Sequence, residues 1–136
     1  MDELKTSAEI AVAGMKAQTR RLRVVSENLA NADSLAQTAE GQPYRRKIVT
    51  FRNELDRELG VAMVKADPAR PDMSDLPRRY DPKHPAADGD GYVLAPNVNP
   101  LIELMDMREA QRSYEANLNV VNTSKTMLSR TIELLR

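Results

Sequence analysis

Residues 101–136 read LIELMDMREAQRSYEANLNVVNTSKTMLSRTIELLR and contain neither proline nor glycine. Apolar residues recur here at alternating steps of three and four, the heptad pattern of a helix that packs along one stripe. Such a helix would be about 50 Å long, well beyond the globular mean. The stripe consists of Leu104, Met107, Gln111, Tyr114, Leu118, Val121, Lys125, Leu128, Ile132 and Leu135.

The start of this helix is marked by Asn99 and Pro100. Proline is harmless at the first helical position because its missing N–H would have no helical partner there. An asparagine directly before it can accept a hydrogen bond from the first turn, so Asn99 is the predicted N-cap.

A second heptad stripe runs through residues 1–32, and Gln18 is its only polar member. Several of its residues are alanines, which would let a partner helix approach closely. The stripe consists of Leu4, Ala8, Ala11, Met15, Gln18, Leu22, Val25, Leu29 and Ala32.

The middle of the chain differs, because all eight prolines lie between Pro43 and Pro100. Proline removes a donor from a strand and fixes turned or extended backbone. Short β-like runs lie at 47–51, 60–64 and 91–94. We therefore predict three segments: an N-terminal helix (1–32), a loop-rich β middle (33–98) and a C-terminal helix (99–136).

The predicted fold class is mainly α with a small β-rich middle. The two terminal helices are expected to pair as an antiparallel coiled coil, with the Pro-rich β and loop insertion between them. Pairing leaves further apolar residues uncovered, and exposed apolar surface usually marks an interface. Neighbouring subunits are expected to complete the core, so an isolated chain should be weakly helical. The uncovered residues are Ile10, Val12, Val24, Leu101, Ile102, Met105, Val120, Met127 and Leu134.

Composition argues against several classes of function. The chain has 20 basic and 20 acidic residues, no cysteine and one histidine, His84. Zero net charge gives no general attraction for nucleic acid, and one histidine without cysteine cannot form an ordinary zinc site. Asp88–Gly91 lacks the later glutamate of a calcium loop and is interpreted as a turn. We expect no metal, cofactor, catalytic set, transmembrane segment or cleavable signal peptide.

Several motifs resemble one family when taken together and in order. Ser26–Asp33 reads SENLANAD, which resembles the NLANA signature of flagellar rod and hook proteins. Further motifs resemble the proximal-rod members of that family from end to end: GQPYR (41–45), YDPKHP (80–85), GYV (91–93), PNVN (96–99), RSYEAN (112–117) and NTSKTM (122–127).

The resemblance implies a structural subunit of the periplasmic rod that transmits torque for motility. It also implies export by the flagellar type III apparatus without signal cleavage. The implied partners are other rod proteins, copies of the chain itself, a rod-base adaptor and the export apparatus. Two alternatives remain: a different rod subunit of the same family, or a cytoplasmic coiled-coil regulatory protein.

We predict an assembly interface on the helices, although some of its residues also have local explanations. Asn28 and Asn31 could instead cap the first helix in a left-handed conformation. Asn117, Asn119 and Asn122 could form a solvated face, and Gln111 and Lys125 could fix register or lie where the helices splay apart. The arginines and lysine at 20–23 and 45–47 are expected on a solvated face or in inter-subunit salt bridges. The predicted interface comprises Leu22, Val25, Asn28, Leu29, Asn31, Tyr114, Asn117, Leu118, Val121, Asn122, Leu128 and Ile132.

Overall fold

A computed structural model describes residues 1–136 and contains two long helices and six short strands. Helix α1 spans Asp2–Ala30, and helix α2 spans Pro100–Leu134. Neither helix has a stretch both long and apolar enough to span a membrane. The strands are β1 (Lys47–Ile48), β2 (Phe51–Asp56), β3 (Val61–Ala66), β4 (Arg70–Pro71), β5 (Arg78–Tyr80) and β6 (Tyr92–Leu94).

Helix α2 begins at the predicted position. Pro100 is its first residue, and the Leu101 N–H donates to Asn99 Oδ1 over 3.1 Å. Asn99 also accepts from the Glu103 N–H through its backbone carbonyl, at 3.1 Å. The predicted cap is confirmed.

Helix α1 ends without a left-handed residue, since no residue other than glycine has a positive φ. The explanation of Asn28 and Asn31 as left-handed caps is therefore wrong. Asn31 instead donates from Nδ2 to the Glu27 carbonyl at 2.9 Å and accepts from the Ser34 hydroxyl at 3.0 Å. The Glu27 carbonyl also accepts from the Asn31 N–H at 3.1 Å, so the side chain of Asn31 adds a second hydrogen bond at the end of the helix.

The chain forms two compact units, and each helix contributes one part to each unit. The first contains residues 1–22, 49–68 and 107–136, and the second contains residues 23–48 and 69–106.

Contacts in the first unit show that α1 and α2 run antiparallel. A Cβ added to Gly14 would lie 2.7 Å from Asn117 Nδ2, and Arg21 Nη2 lies 3.5 Å from Glu109 Oε2. Moving seven residues forward along α1 thus corresponds to moving eight residues back along α2. The predicted antiparallel pair with a small β-rich middle is confirmed.

The buried face of α2 differs from the predicted stripe at alternate positions, whereas every residue of the predicted α1 stripe is buried or half-buried. Leu104, Leu118 and Ile132 are exposed, as are Gln111 and Lys125. Small or polar residues take the interior positions, because small side chains let helix backbones approach closely. Gln111 and Lys125 therefore fix no register within the chain. The buried helix residues are Ala11, Gly14, Ala17, Val24, Val25, Asn28, Glu103, Ala110, Val121 and Ser124.

The strands form three separate antiparallel ribbons: β2 with β3 in the first unit, and β1 with β4 and β5 with β6 in the second. The predicted runs at 47–51, 60–64 and 91–94 overlap strands, whereas β4 and β5 were not predicted. β4 contains Pro71 and is only two residues long, so its sequence gives no alternating pattern.

Two turns of the ribbons are fixed by an aspartate and a glycine. Asp56 Oδ1 accepts from the N–H groups of Glu58 and Leu59 at 2.9 and 3.1 Å, and Gly60 has a φ of 66°. Glycine adopts this conformation without a steric cost.

The second turn connects β5 to β6 and confirms the interpretation of residues 88–91 as a turn. Asp88 Oδ1 accepts from the N–H groups of Asp90 and Tyr92, each at 2.9 Å. The Tyr92 N–H is the main cause of the lowered pKa of Asp88. A Cβ added to Gly89 would meet no atom within 4 Å, so the loop projects into open space there.

The close approach at Gly14 predicts a graded response to side-chain size. Gly14→Ala gains about 1 kcal/mol of helix propensity, which offsets the crowding of Asn117. Gly14→Leu cannot be accommodated and should lower helicity in far-UV circular dichroism.

Asn117→Ala supplies the control for this prediction. It removes the crowded atoms, so adding Gly14→Ala to it should increase helicity. A Gly14→Leu chain as helical as the parent would contradict the close approach.

Candidate assembly surface

The second unit contains a buried polar cluster, formed by Asn28, Tyr44, Arg46, Lys47 and Glu103, which we call the Asn28–Glu103 cluster. It connects the last turns of α1, the segment before β1, and the first turn of α2. Asn28 is 1% exposed and Glu103 is 0% exposed. Buried polar groups are costly unless they are hydrogen-bonded, so the partners of these two residues decide whether the site is stable.

Asn28 uses all of its hydrogen-bonding capacity. Its Nδ2 donates to the Lys47 carbonyl at 2.8 Å and to Glu103 Oε2 at 3.2 Å. Its Oδ1 accepts from the Tyr44 hydroxyl at 2.7 Å and from the Lys47 N–H at 3.0 Å. One asparagine therefore fixes the position of β1 against α1 and connects both to α2.

Arg46 neutralises the carboxylate that this arrangement buries. Its Nε donates to Glu103 Oε1, while its Nη1 and Nη2 lie 3.3 Å from Asp72 Oδ2 and 3.6 Å from Asp106 Oδ2. Its backbone N–H donates to Asn97 Oδ1 at 2.7 Å. Burial is the largest single influence on Arg46 and opposes its charged form, but the hydrogen bonds and charges of Glu103 and Asp72 together outweigh it and raise the pKa.

The basic run 45–47 therefore has partners within its own chain. Arg45 Nη1 donates to the carbonyls of Asp72 and Ser74 at 3.0 and 2.7 Å, and Lys47 Nζ lies 2.6 Å from Glu27 Oε1. The three residues are half-buried and paired within the chain, so they do not form a fully solvated face. Nearby, hydrogen bonds from Ser74 are the main cause of the lowered pKa of Asp72.

Tyr44 is the group of the cluster whose pKa departs most from its ordinary value. Burial, followed by the charges of Glu27 and Glu103, raises the pKa of its phenol to about 12. All three causes oppose the phenolate form, so the cluster favours a protonated Tyr44 hydroxyl that can donate to Asn28.

The twelve predicted interface residues fall into three groups. Val25, Asn28 and Val121 are buried within the chain, and Asn28 belongs to the cluster. Leu118, Asn122 and Ile132 are exposed. The half-buried members are Leu22, Leu29, Asn31, Tyr114, Asn117 and Leu128.

Both helices carry large apolar side chains on their outer faces. Near the start of α2, Leu101 is 66% exposed and Met105 is 62% exposed. Isolated exposed apolar residues are normal, but a series along two helices is typical of an interaction surface. The other members of this apolar surface are Ile10, Val12, Ile102, Leu104, Leu118, Val120, Met127, Ile132 and Leu134.

Sequence reasoning missed Glu103 and Arg46 as structural residues. Arg46 directly follows the GQPYR motif, which contains Tyr44, so a local signal existed. The sequence contains a weaker indication that Glu103 is structural: it is an acidic residue one position before the apolar stripe begins at Leu104. The pairing of a first-turn glutamate with an arginine 57 residues away has no short-range pattern.

Comparisons with known proteins match these same helices. A model for flagella basal body rod proteins matches residues 9–34, and a model for the C-terminal region of the flagellar basal body rod FlgEFG proteins matches residues 90–134. The flagellar basal-body rod protein FlgC of Agrobacterium fabrum is 50% identical over 136 residues, covering 100% of this chain and 98% of that protein. The chain belongs to the FlgC family of flagellar basal-body rod proteins.

Other FlgC proteins match over a similar range. FlgC of Salmonella typhimurium is 41% identical over 93% of this chain and 93% of its own length. FlgC of Bacillus subtilis is 36% identical over 94% of this chain and 95% of its own length. The chain is a structural subunit of the flagellar basal-body rod, and the rival interpretation as a cytoplasmic regulator is wrong.

The Asn28–Glu103 cluster predicts a large effect of Asn28→Asp. The substitution puts a second carboxylate beside buried Glu103 and removes the donor to the Lys47 carbonyl. Loss of buried partners of this kind costs ~3 kcal/mol, which should be measurable as a lower free energy of unfolding in urea.

Glu103→Gln in the Asn28→Asp chain should recover part of this loss, because it removes the like-charge contact. Asn119→Asp is the matched control, since Asn119 is an exposed asparagine of α2. Equal effects of Asn28→Asp and Asn119→Asp would contradict the role given to the cluster.

Tyr44 predicts a loss of stability at alkaline pH. Its pKa is about 12 in the folded chain against 10.0 ordinarily, so between these values the unfolded chain loses a proton that the folded chain retains. The contribution of protonated Tyr44 to the stability of the folded chain is thus fully present below pH 10 and is lost as pH rises to about 12. Between pH 10 and about 12, the free energy of unfolding should fall more steeply with pH for the parent than for Tyr44→Phe.

Absorbance titration supplies an independent measurement. Subtracting the Tyr44→Phe titration from that of the parent should give a phenolate signal centred near pH 12. A midpoint near 10 would show that Tyr44 is not in the environment described.

Proposed function

We propose that this chain assembles with other rod proteins and with copies of itself through the apolar surface of α1 and α2. The observation that carries the proposal is the exposure of this surface in a chain whose helix interior holds small and polar residues and only three valines. Covering apolar side chains contributes about 25 cal/mol per Å², so association has a driving force here.

The predicted interface residues would then have two different roles. Leu118, Asn122 and Ile132 would contact neighbours directly, because they are exposed on α2. Val25 and Asn28 would act from inside the chain by holding the helices in the arrangement that presents the surface. Leu128 is half-buried, so it would both pack within the chain and contact a neighbour.

The finer role we propose is mechanical. Many helix contacts of this kind would share torque along the rod, and no catalytic step is assigned. Family membership and the motifs at 26–33, 80–85 and 122–127 support a position in the periplasmic rod. They also support export through the flagellar type III apparatus without cleavage, with a rod-base adaptor among the neighbours.

Leu118→Asp tests the apolar surface. The substitution puts a charge where apolar contact is proposed, and burying an unpaired charge is costly. The variant should be absent from purified basal bodies, and cells producing it as their only copy should not swim. Leu118 is 38% exposed, so circular dichroism of the isolated chain should change little.

Met73→Asp is the matched control, because Met73 is 76% exposed and lies outside both helices. It should leave incorporation and swimming unchanged. Normal incorporation of the Leu118→Asp chain would refute the proposed surface.

A further inference from the structure

Sulfur chemistry in this chain is confined to methionine, because there are seven methionines and no cysteine. A hydroperoxide must reach a sulfur atom to oxidise it, so exposure decides which methionines react first. Met15, Met63 and Met107 are half-buried. The other four methionines are exposed: Met1, Met73, Met105 and Met127.

Two of the exposed methionines lie on the same face of α2. Met105 is 62% exposed and Met127 is 49% exposed. They are about six turns apart at ~3.6 residues per turn, so both side chains project from one side of the helix. Leu101, one turn before Met105, and Leu134, two turns after Met127, project from this side as well and are also exposed. The two methionines therefore belong to the apolar surface, one towards each end of α2.

Oxidation of either sulfur changes the character of this face. The sulfur attacks one peroxide oxygen, and the S–O bond forms as the O–O bond breaks. The hydrogen of the attacked oxygen moves to the other oxygen, which leaves as water when the oxidant is hydrogen peroxide. Sulfur is oxidised by two electrons, and the peroxide is reduced by two. The product is a sulfoxide, a polar group in place of a flexible apolar one.

A sulfoxide on the apolar surface opposes the contact proposed there. Its oxygen accepts hydrogen bonds, and an apolar contact offers it no donor. Burying a polar group without a partner is unfavourable enough to weaken an association by about tenfold or more.

We propose that Met105 and Met127 are oxidation sites of the unassembled chain, and that a hydroperoxide acting on them prevents the chain from joining the rod. The inference rests on the proposed assembly through the apolar surface and adds a chemical modification that controls it. Neighbouring subunits cover the two sulfurs once the chain is incorporated, so the modification acts on chains that have not yet assembled. Reduction of the sulfoxide restores the apolar side chain and with it the capacity to assemble.

Peptide mass spectrometry after brief treatment with hydrogen peroxide tests where the chain is oxidised. In the purified full-length chain, Met105 and Met127 should be oxidised before the three half-buried methionines. In isolated basal bodies the same two residues should react about tenfold more slowly, because the peroxide cannot reach a covered sulfur. Equal rates in the purified chain and in basal bodies would overturn the proposal.

Substitution tests the effect of oxidation on assembly. Met105→Gln combined with Met127→Gln puts a polar group of similar length at both sites, and glutamine is as good a helix former as methionine. Helicity in far-UV circular dichroism should be unchanged, while basal bodies should contain about tenfold less of this chain. Met105→Leu combined with Met127→Leu should incorporate normally, also after the chain is treated with peroxide.

Met73→Gln is the matched control, because Met73 is 76% exposed and lies outside both helices. It should incorporate like the parent. A loss of incorporation in the leucine pair equal to that in the glutamine pair would show that side-chain shape, and not polarity, matters at these sites, and would contradict the proposal.

The outcomes separate this modification from the broader proposal. Normal incorporation of the glutamine pair, with Leu118→Asp still excluded from basal bodies, overturns the oxidation sites and leaves assembly through the apolar surface intact. Incorporation of Leu118→Asp, by contrast, would refute the assembly surface itself.

Discussion

The hydrogen bond between Asn28 and Glu103, with Arg46 on the other side of the carboxylate, is the interaction on which the second unit depends. Glu103 is completely buried and would be strongly unfavourable there without these two partners. Because Asn28 also binds both backbone groups of Lys47, one site fixes α1, β1 and α2 together. Few buried apolar residues are then needed to give the unit a defined structure.

The helices bury small and polar residues and three valines, and they expose many of their large apolar residues. Gly14, Ala110 and Ser124 lie inside, whereas Leu101 and Met105 lie outside. A small, polar interior specifies how the helices fit, since each buried polar group needs its own partner, but it supplies little hydrophobic stabilisation. The apolar groups that could supply it lie on the outer faces, which suits a subunit of the flagellar rod.

The sequence predicts which residues are helical better than it predicts which face is buried. The heptad stripes indicate both helices, and Asn99 with Pro100 marks the start of α2 by local chemistry alone. Which face is buried depends on which of two adjacent residues points inward. Hydrophobicity predicts that Leu118 is buried, but Leu118 is exposed and its neighbour Asn117 is half-buried. Close packing at Gly14 and hydrogen bonds from Arg46 decide the outcome, and both come from residues distant in sequence. The stripe predicts Leu118 and Ile132 on the face that packs against the other helix. Both are exposed instead, so they are free to contact a neighbouring subunit.

The loop at Gly89 has a consequence for the way such a chain can vary in length. Asp88 closes the turn through the N–H groups of Asp90 and Tyr92, while Gly89 faces open space. Extra residues inserted there would lengthen a projecting tip without disturbing either helix, and loop closure entropy rises only slowly with length. The same tip is accordingly a natural place to attach a visible label to the rod.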